Sequence, residues 1–290
     1  LPVIPPTPER VERMLAYCDR DFDKPVVKIP PRFGAATPIR VAANAVMAGC
    51  KPEDFPLGLL ALEAMAEEQY NLYGTQATMH PCTPMLIFNG PIAKEVGLNS
   101  GHNVMGNYFR ANAAIGRAVR LCLVNIGAAI PGTGDMATAG TPCKFTFCVA
   151  ENEEASPWEP LHVERGFDAN DSVVTVVGAA GTLNMNTHSK EAPDLACTMG
   201  KSIRYPTGND YHFAGEPWVI LSPEHAEVFK RAGLSKDDVK RELWEQSKMP
   251  AGWFARKDYD RANHSRGAEL GAFTPETLVP ISPSPREFGI

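Results

Sequence analysis

The sequence predicts an α/β fold, in which short buried strands alternate with helices, followed by a largely helical C-terminal part. Apolar residues recur at helical spacing in several segments, whereas runs such as "MLIFNGP" and "SVVTVVG" are almost continuously apolar, as buried strands are. The 26 prolines and 24 glycines divide the chain into short elements joined by loops. We expect an α/β core domain with the functional site over residues 1–215, and a helical region with a proline-containing tail over 216–290.

Helix boundaries in the first half of the chain are marked by local signals. Two Thr-Pro pairs, at 7–8 and 37–38, have the form of an N-cap followed by proline at the first helical position. The second of these helices should end at Gly49 in a left-handed cap. Further helices are predicted from about residue 53 through "PLGLLALEAMAEEQ", over "IAKEVG", and over about 109–126.

The predicted strands carry most of the chemistry-bearing side chains. In "KFTFCVAE" the period of two places Phe145 and Phe147 in the core and Cys148 on the opposite face. "SVVTVVG" is a second strand, and "TLNMNTH" is expected to continue in extended form, which would align Asn184 and His188 on one face.

Capping signals recur in the C-terminal part. Ser222-Pro223 predicts one helix that Gly233 ends, and Ser235 with Asp238 three residues later predicts another that ends near residue 248. From Pro250 onward the polar, proline-containing sequence is interpreted as a docking arm or linker.

Composition excludes several classes of protein. Apolar residues make up 44% and charged residues 21%, as in soluble globular proteins, and the net charge of -6 disfavours a nucleic-acid partner. No window approaches 18 apolar residues, so we expect no membrane partner and a cytoplasmic location. The seven cysteines form no CxxC pair or zinc spacing and are expected to be free thiols. Because the chain opens at Leu1 and closes on "SPREFGI", it is expected to be processed or a fragment.

Three glutamates at 151, 153 and 154 end the "KFTFCVAE" strand and are the first candidate site. Carboxylates this close together repel one another, and a cation, arginine partners or water can relieve that repulsion. Solvation, or a position in a first helical turn, is the simplest explanation. A metal-binding or acid–base role for Glu151 and Glu154 is the alternative.

Histidines on predicted loops or strand ends form a second candidate. His80 precedes a buried strand, His102 lies in the loop "NSGHNVMG" and His188 ends the Asn-rich segment. His162, which follows the glutamates, is a further candidate ligand. Two or three of these, with Glu151 or Glu154, would suit Zn²⁺, Fe²⁺ or Mn²⁺. For any single histidine, an ordinary hydrogen-bonded role on the surface or in the core is the simpler explanation.

Thiol chemistry is the third candidate. Cys148 faces away from the phenylalanine side of its strand, and Cys50 lies just past a helix end. A nucleophilic cysteine needs a base or a positive charge nearby, which Arg110, Arg117 or a histidine could supply, whereas a buried cysteine is inert. The same two arginines, seven residues apart on one helix face, could grip a substrate carboxylate or phosphate together with Asn184, or could pair with the glutamates.

Four segments together resemble a family of uncharacterised bacterial proteins associated with small companion proteins that bear a Sec/Cys-Gly-Ser-Cys motif. The segments are "AVMAGCKPEDFP", "FNGPIAKE", "RANAAIGRA" and "FCVAENEEASPWEPLHVERGF", and the resemblance spans most of residues 4–230. It implies thiol-dependent or redox chemistry with a small thiol or selenol partner. In that case this chain would supply the substrate pocket. The pocket residues, at positions that match the family, would be Cys50, Cys148, His80, Arg110 and the glutamates.

Three hypotheses about function follow. The first is an enzyme that acts on a small organic molecule by thiol-dependent or redox chemistry at Cys148 or Cys50, with a pocket completed by a partner or a second subunit of a homo- or hetero-oligomer. The second is a metal-dependent hydrolase or lyase that uses the His/Glu cluster. The third is a scaffold or binding subunit in which glutamates and arginines only pair with each other.

Overall fold

The computed structural model describes residues 2–106, 108–206 and 208–290, which form two compact units. The first unit comprises the described residues up to Glu153 together with Pro160–Thr182, and the second comprises Glu154–Glu159 and Leu183–Ile290. The predicted α/β class with a largely helical C-terminal part is confirmed. The division falls between Thr182 and Leu183, earlier than the predicted boundary at 215, because the helix that starts at Ala192 packs into the C-terminal core.

The first unit contains seven of the described α-helices, and most of them pack around one apolar core. They are α1 (Pro8–Leu15), α2 (Pro38–Ala48), α3 (Phe55–Met65), α4 (Leu72–Ala77), α5 (Pro91–Glu95), α6 (Arg110–Asn125) and α7 (Leu161–Glu164). Helix α2 begins as predicted: the Thr37 hydroxyl accepts a hydrogen bond from the Arg40 N–H at 3.4 Å, and Gly49 ends the helix with φ of 89°.

Five of the described strands belong to the first unit. A short antiparallel pair, β1 (Val27–Ile29) and β2 (Gly34–Ala36), is separate from a three-stranded sheet. In that sheet β3 (Thr83–Asn89), buried along its whole length, lies between β4 (Cys148–Ala150) and β5 (Val173–Ala179). Strand β4 runs parallel to β3 and β5 antiparallel to it, so the chain beyond Asn89 and beyond Ala150 leaves the same edge of the sheet.

The predicted strand over "KFTFCVAE" is wrong in its first half. Residues 142–144 form a 3₁₀ turn, and the strand begins only at Cys148. Phe145, predicted to be in the core, is 43% exposed, whereas Thr146 is buried and donates to the Asn112 and Ala113 carbonyls of α6. Helix α6 can come this close because Gly116 has no side chain, and a Cβ there would lie 2.3 Å from the Thr146 hydroxyl oxygen.

The second unit contains the other five described α-helices around its own apolar core. They are α8 (Ala192–Ser202), α9 (Asn209–Phe213), α10 (Pro223–Arg231), α11 (Lys236–Ser247) and α12 (Arg256–Leu270), with a two-residue strand pair, β6 (Met249–Pro250) and β7 (Leu278–Val279). Both predicted caps are present: Ser222 accepts from the His225 N–H, and Ser235 and Asp238 form a capping box.

Two predictions for this unit are wrong. The segment after Pro250 is no docking arm, because it forms α12 and contributes Phe254, Phe273 and Phe288 to the core. The "TLNMNTH" segment has no regular secondary structure, and the side chains of Asn184 and His188 are exposed. Within the described part of the chain, no helix combines the length and apolar character needed to cross a membrane.

Candidate functional site

The parallel strands β3 and β4 end at one edge of the sheet and deliver polar residues there. Asn89 is the last residue of β3 and is fully buried, and Gly90 follows it with φ of 82°. A Cβ on Gly90 would lie 2.0 Å from the Asp171 carbonyl oxygen, so only glycine fits this turn. Glu151 and Glu153 follow β4 directly, and they meet Asn89 across the sheet edge.

A single asparagine bridges the two glutamates. Its Nδ2 donates to Glu151 Oε2 at 2.5 Å and to Glu153 Oε1 at 3.0 Å. Each carboxylate also accepts a backbone N–H: Glu151 Oε2 from Leu161 at 2.8 Å, and Glu153 Oε1 from Gly90 at 2.7 Å. Uncharged N–H donors therefore hold two carboxylates that repel each other. Among the residues that the structure describes, neither glutamate has an arginine or lysine partner.

His162, on α7, is the fourth member of this cluster and is fully buried. Its Nε2 lies 3.4 Å from the Ala169 carbonyl oxygen, which can only accept, so Nε2 carries a hydrogen. The other ring nitrogen, Nδ1, lies 4.0 Å from Glu153 Oε1. The Glu153 carboxylate is therefore the acidic group that lies near the unpartnered ring nitrogen of His162.

Two buried polar atoms in the cluster have no hydrogen-bond partner within the described ranges, namely Asn89 Oδ1 and His162 Nδ1. Such groups are costly in a folded protein, about 1–3 kcal/mol each, and native structures contain few of them. The Glu153 side chain is 21% exposed and connects the cluster with solvent. We name Asn89, Glu151, Glu153 and His162 the sheet-edge cluster.

A second group of predicted residues lies around a buried aspartate in the same unit. This group consists of Cys50, Cys148 and Arg110. Asp54 is fully buried, and the Arg110 guanidinium donates to both of its carboxylate oxygens. Cys50 and Cys122 line one narrow cavity with Asp54, and Cys148 is near enough to affect Cys50 electrostatically. We name Cys50, Asp54, Arg110, Cys122 and Cys148 the thiol cluster.

The thiols of this cluster are kept protonated. Burial raises the pKa of Cys50 well above its ordinary value, the Asp54 charge raises it further, and only Arg110 opposes the shift. Burial likewise raises the pKa of the Cys148 thiol, again with a contribution from Asp54. Because Arg110 is already paired with Asp54, it activates these thiols only weakly. The expected thiolate nucleophile therefore has no supporting electrostatics.

The other predicted site residues are not in either cluster. Arg117 lies over the Phe145 ring, with 4.4 Å between its Cζ and the ring centroid, and does not join Arg110. His80 is exposed after α4. Glu154, Asn184 and His188 are exposed and belong to the second unit. In the described portions of the chain no three His, Cys, Asp or Glu side chains are placed to hold a metal ion, so the predicted metal set has no geometric support.

The sequence indicated Glu151 and His162 but missed Asn89 as a site residue. The sequence signal for Asn89 is the segment "FNGP", in which an amide residue follows a continuously apolar strand and directly precedes Gly-Pro. A polar side chain that is buried at the end of such a strand needs polar partners. Glu153 was recognised as one of three glutamates, but only the structure separates it from exposed Glu154.

Comparison with protein-family models, curated proteins and solved structures finds no match for this chain. The family resemblance noted in the sequence therefore stays a prediction.

Proposed function

We propose that this protein is an enzyme that acts on a small polar organic molecule by general acid–base catalysis at the sheet-edge cluster. One observation carries the proposal: His162 Nδ1 and Asn89 Oδ1, both buried and without partners in the described structure, lie beside two carboxylates at a strand end. Sites of α/β proteins are commonly found at the carboxyl ends of parallel strands. This cluster has that position.

Each residue has a role that follows from its contacts. Glu153, the solvent-connected member, exchanges a proton with the ligand, and His162 accepts or returns that proton through Nδ1. The 4.0 Å separation is long for a hydrogen bond, but such bonds often shorten when substrate binds. Asn89 and the backbone N–H groups of Gly90 and Leu161 hold the carboxylates in place.

The charge of the cluster defines the ligand class, because Glu153 is the member that reaches solvent. The nearby carboxylates repel anions, which favours a neutral or cationic molecule over a phosphorylated or acidic one.

The test combines a binding screen with a turnover assay. A panel of small neutral and cationic alcohols and amines is screened by thermal shift, and each stabilising compound is then followed by proton NMR for conversion by wild-type protein. We expect Glu153→Gln and His162→Gln to keep binding but to lose conversion by about 100-fold or more. His102→Gln, an exposed histidine of the same unit, is the matched control and should convert normally.

Conversion that survives in both variants would contradict the proposal, and so would a panel in which no compound binds. Thiol-dependent chemistry is a second candidate, because three cysteines surround the Asp54–Arg110 pair and Cys50 keeps part of its surface exposed. That candidate requires a reactive Cys50 thiol, which alkylation of the folded protein measures directly.

A further inference from the structure

Helix α9, in the second unit, carries a buried histidine that neither of the clusters above contains. His212 is only 3% exposed. Both of its ring nitrogens, Nδ1 and Nε2, are buried and have no hydrogen-bond partner among the residues that the structure describes. A neutral imidazole has one N–H donor and one acceptor nitrogen, so both hydrogen-bonding groups of this ring are unused. Buried polar side chains without any partner are rare in native proteins, and each needs an explanation.

The surroundings of the His212 ring are aromatic. Its ring centroid lies 5.4 Å from that of Phe254 and 6.2 Å from that of Phe213. Phe254, which precedes α12, belongs to the apolar core of the second unit. The backbone of His212 is also bound to α12, because its carbonyl oxygen accepts a hydrogen bond from the Ser265 hydroxyl. His212 therefore lies at the contact between α9 and α12.

Burial lowers the pKa of His212 below its ordinary value, and two charged side chains of α12 act on it in opposite directions. Asp258 raises this pKa, and Arg261 lowers it. The other ionisable side chains of α9, Asp210 and Tyr211, are not among the groups that shift it. The charges of Asp258 and Arg261 sum to zero. A proton on the ring would therefore add an uncompensated charge to an apolar contact.

The effect of pH on this contact follows from where the proton binds more tightly. When α9 separates from α12, the His212 ring reaches water and its pKa returns to the ordinary value of about 6.5. Because the open state binds the proton at a higher pH than the closed state, acidification through about pH 6.5 favours opening. The ratio of open to closed molecules then rises about tenfold per pH unit until the pKa of the closed state is reached.

We infer that His212 makes the contact between α9 and α12 a pH switch, which is closed while the imidazole is neutral and opens when the ring is protonated. The end of α9 also favours opening, because Ala214 directly after it has φ of 61°, a conformation that alanine rarely adopts. The inference does not depend on the proposed acid–base function, since the sheet-edge cluster belongs to the first unit.

Hydrogen–deuterium exchange of the full chain at pH 7.5 and pH 5.5, read by mass spectrometry, tests the switch. After correction for the pH dependence of intrinsic exchange, amides of α9 and α12 should exchange up to about tenfold faster at pH 5.5. His212→Phe keeps an aromatic ring that cannot be protonated, and it should reduce this pH effect to less than about twofold. His264→Gln removes an exposed histidine from α12 and should leave the wild-type pH effect unchanged.

His212→Leu places a smaller apolar side chain at the same position and covers the case in which the larger phenylalanine does not fit. It should likewise abolish the pH effect on exchange. Two results would overturn the switch. One is a wild-type protein in which exchange of α9 and α12 rises less than about twofold at pH 5.5. The other is a rise in the folded His212→Phe or His212→Leu variant as large as that of wild-type protein.

Discussion

The thiol cluster and the sheet-edge cluster both contain carboxylates that are buried or partly buried, but they differ in how their polar groups are paired. In the thiol cluster the buried Asp54 carboxylate has a full partner in Arg110, and the thiols beside it stay protonated. In the sheet-edge cluster two carboxylates share one amide, and two buried polar atoms have no partner among described residues. A compensated cluster contributes to stability, whereas an uncompensated one costs stability and needs another explanation, for which catalysis is a candidate.

Arg110→Met tests the structural half of this comparison and has the largest expected effect. It leaves the Asp54 charge buried without a cation, which costs about 3–5 kcal/mol for a fully buried pair. The Arg110 side chain is 38% exposed, so water can replace part of the interaction, and we expect a loss of roughly 2–3 kcal/mol. Urea unfolding measures it. Arg20→Met is the control, because the Arg20–Glu63 pair is exposed and should contribute under about 0.5 kcal/mol.

Thiol reactivity tests whether the thiol cluster has a chemical role as well. Burial raises the pKa of the Cys50 and Cys148 thiols. Each unit by which a thiol pKa rises lowers its thiolate fraction at neutral pH about tenfold. Both thiols should react with an alkylating reagent at less than about one tenth of the rate of the partly exposed Cys143 and Cys197. Mass spectrometry of the alkylated peptides measures these rates. Rapid alkylation of Cys50 that is complete at neutral pH would break the comparison and favour thiol chemistry.

The fold could be predicted where the determining signal is local. Thr37, Ser222 and the Ser235–Asp238 box specify helix starts through contacts within three residues, and all three were found in the sequence. The strand predicted over residues 144–147 is wrong because Thr146 is buried by hydrogen bonds to α6, more than thirty positions away. Helix α12 was missed because it is highly polar and is anchored by tertiary contacts, such as the buried Arg266 that donates to the Pro280 carbonyl.

The candidate site can be predicted only where its residues are close together in the sequence. Glu151, Glu153 and His162 are close in sequence, so their clustering at a strand end could be suspected. Asn89 is 62 residues from Glu151, and only the parallel pairing of β3 with β4 brings them together. The predicted metal set has no geometric support because, among the described residues, no three such side chains come together, and residue type and spacing do not encode that proximity.

Glu153→Gln tests the other half of the comparison and has the smallest expected effect on stability. Glutamine keeps an oxygen that can accept from the Gly90 N–H and from Asn89, while the repulsion between Glu153 and Glu151 disappears. Loss of the charge-assisted part of these bonds opposes that gain. We therefore expect a change of less than about 1 kcal/mol in the free energy of urea unfolding, close to that of the exposed control Glu95→Gln. A loss as large as that of Arg110→Met would show that Glu153 is needed for folding, and the sheet-edge cluster would then be a structural network like the one around Asp54.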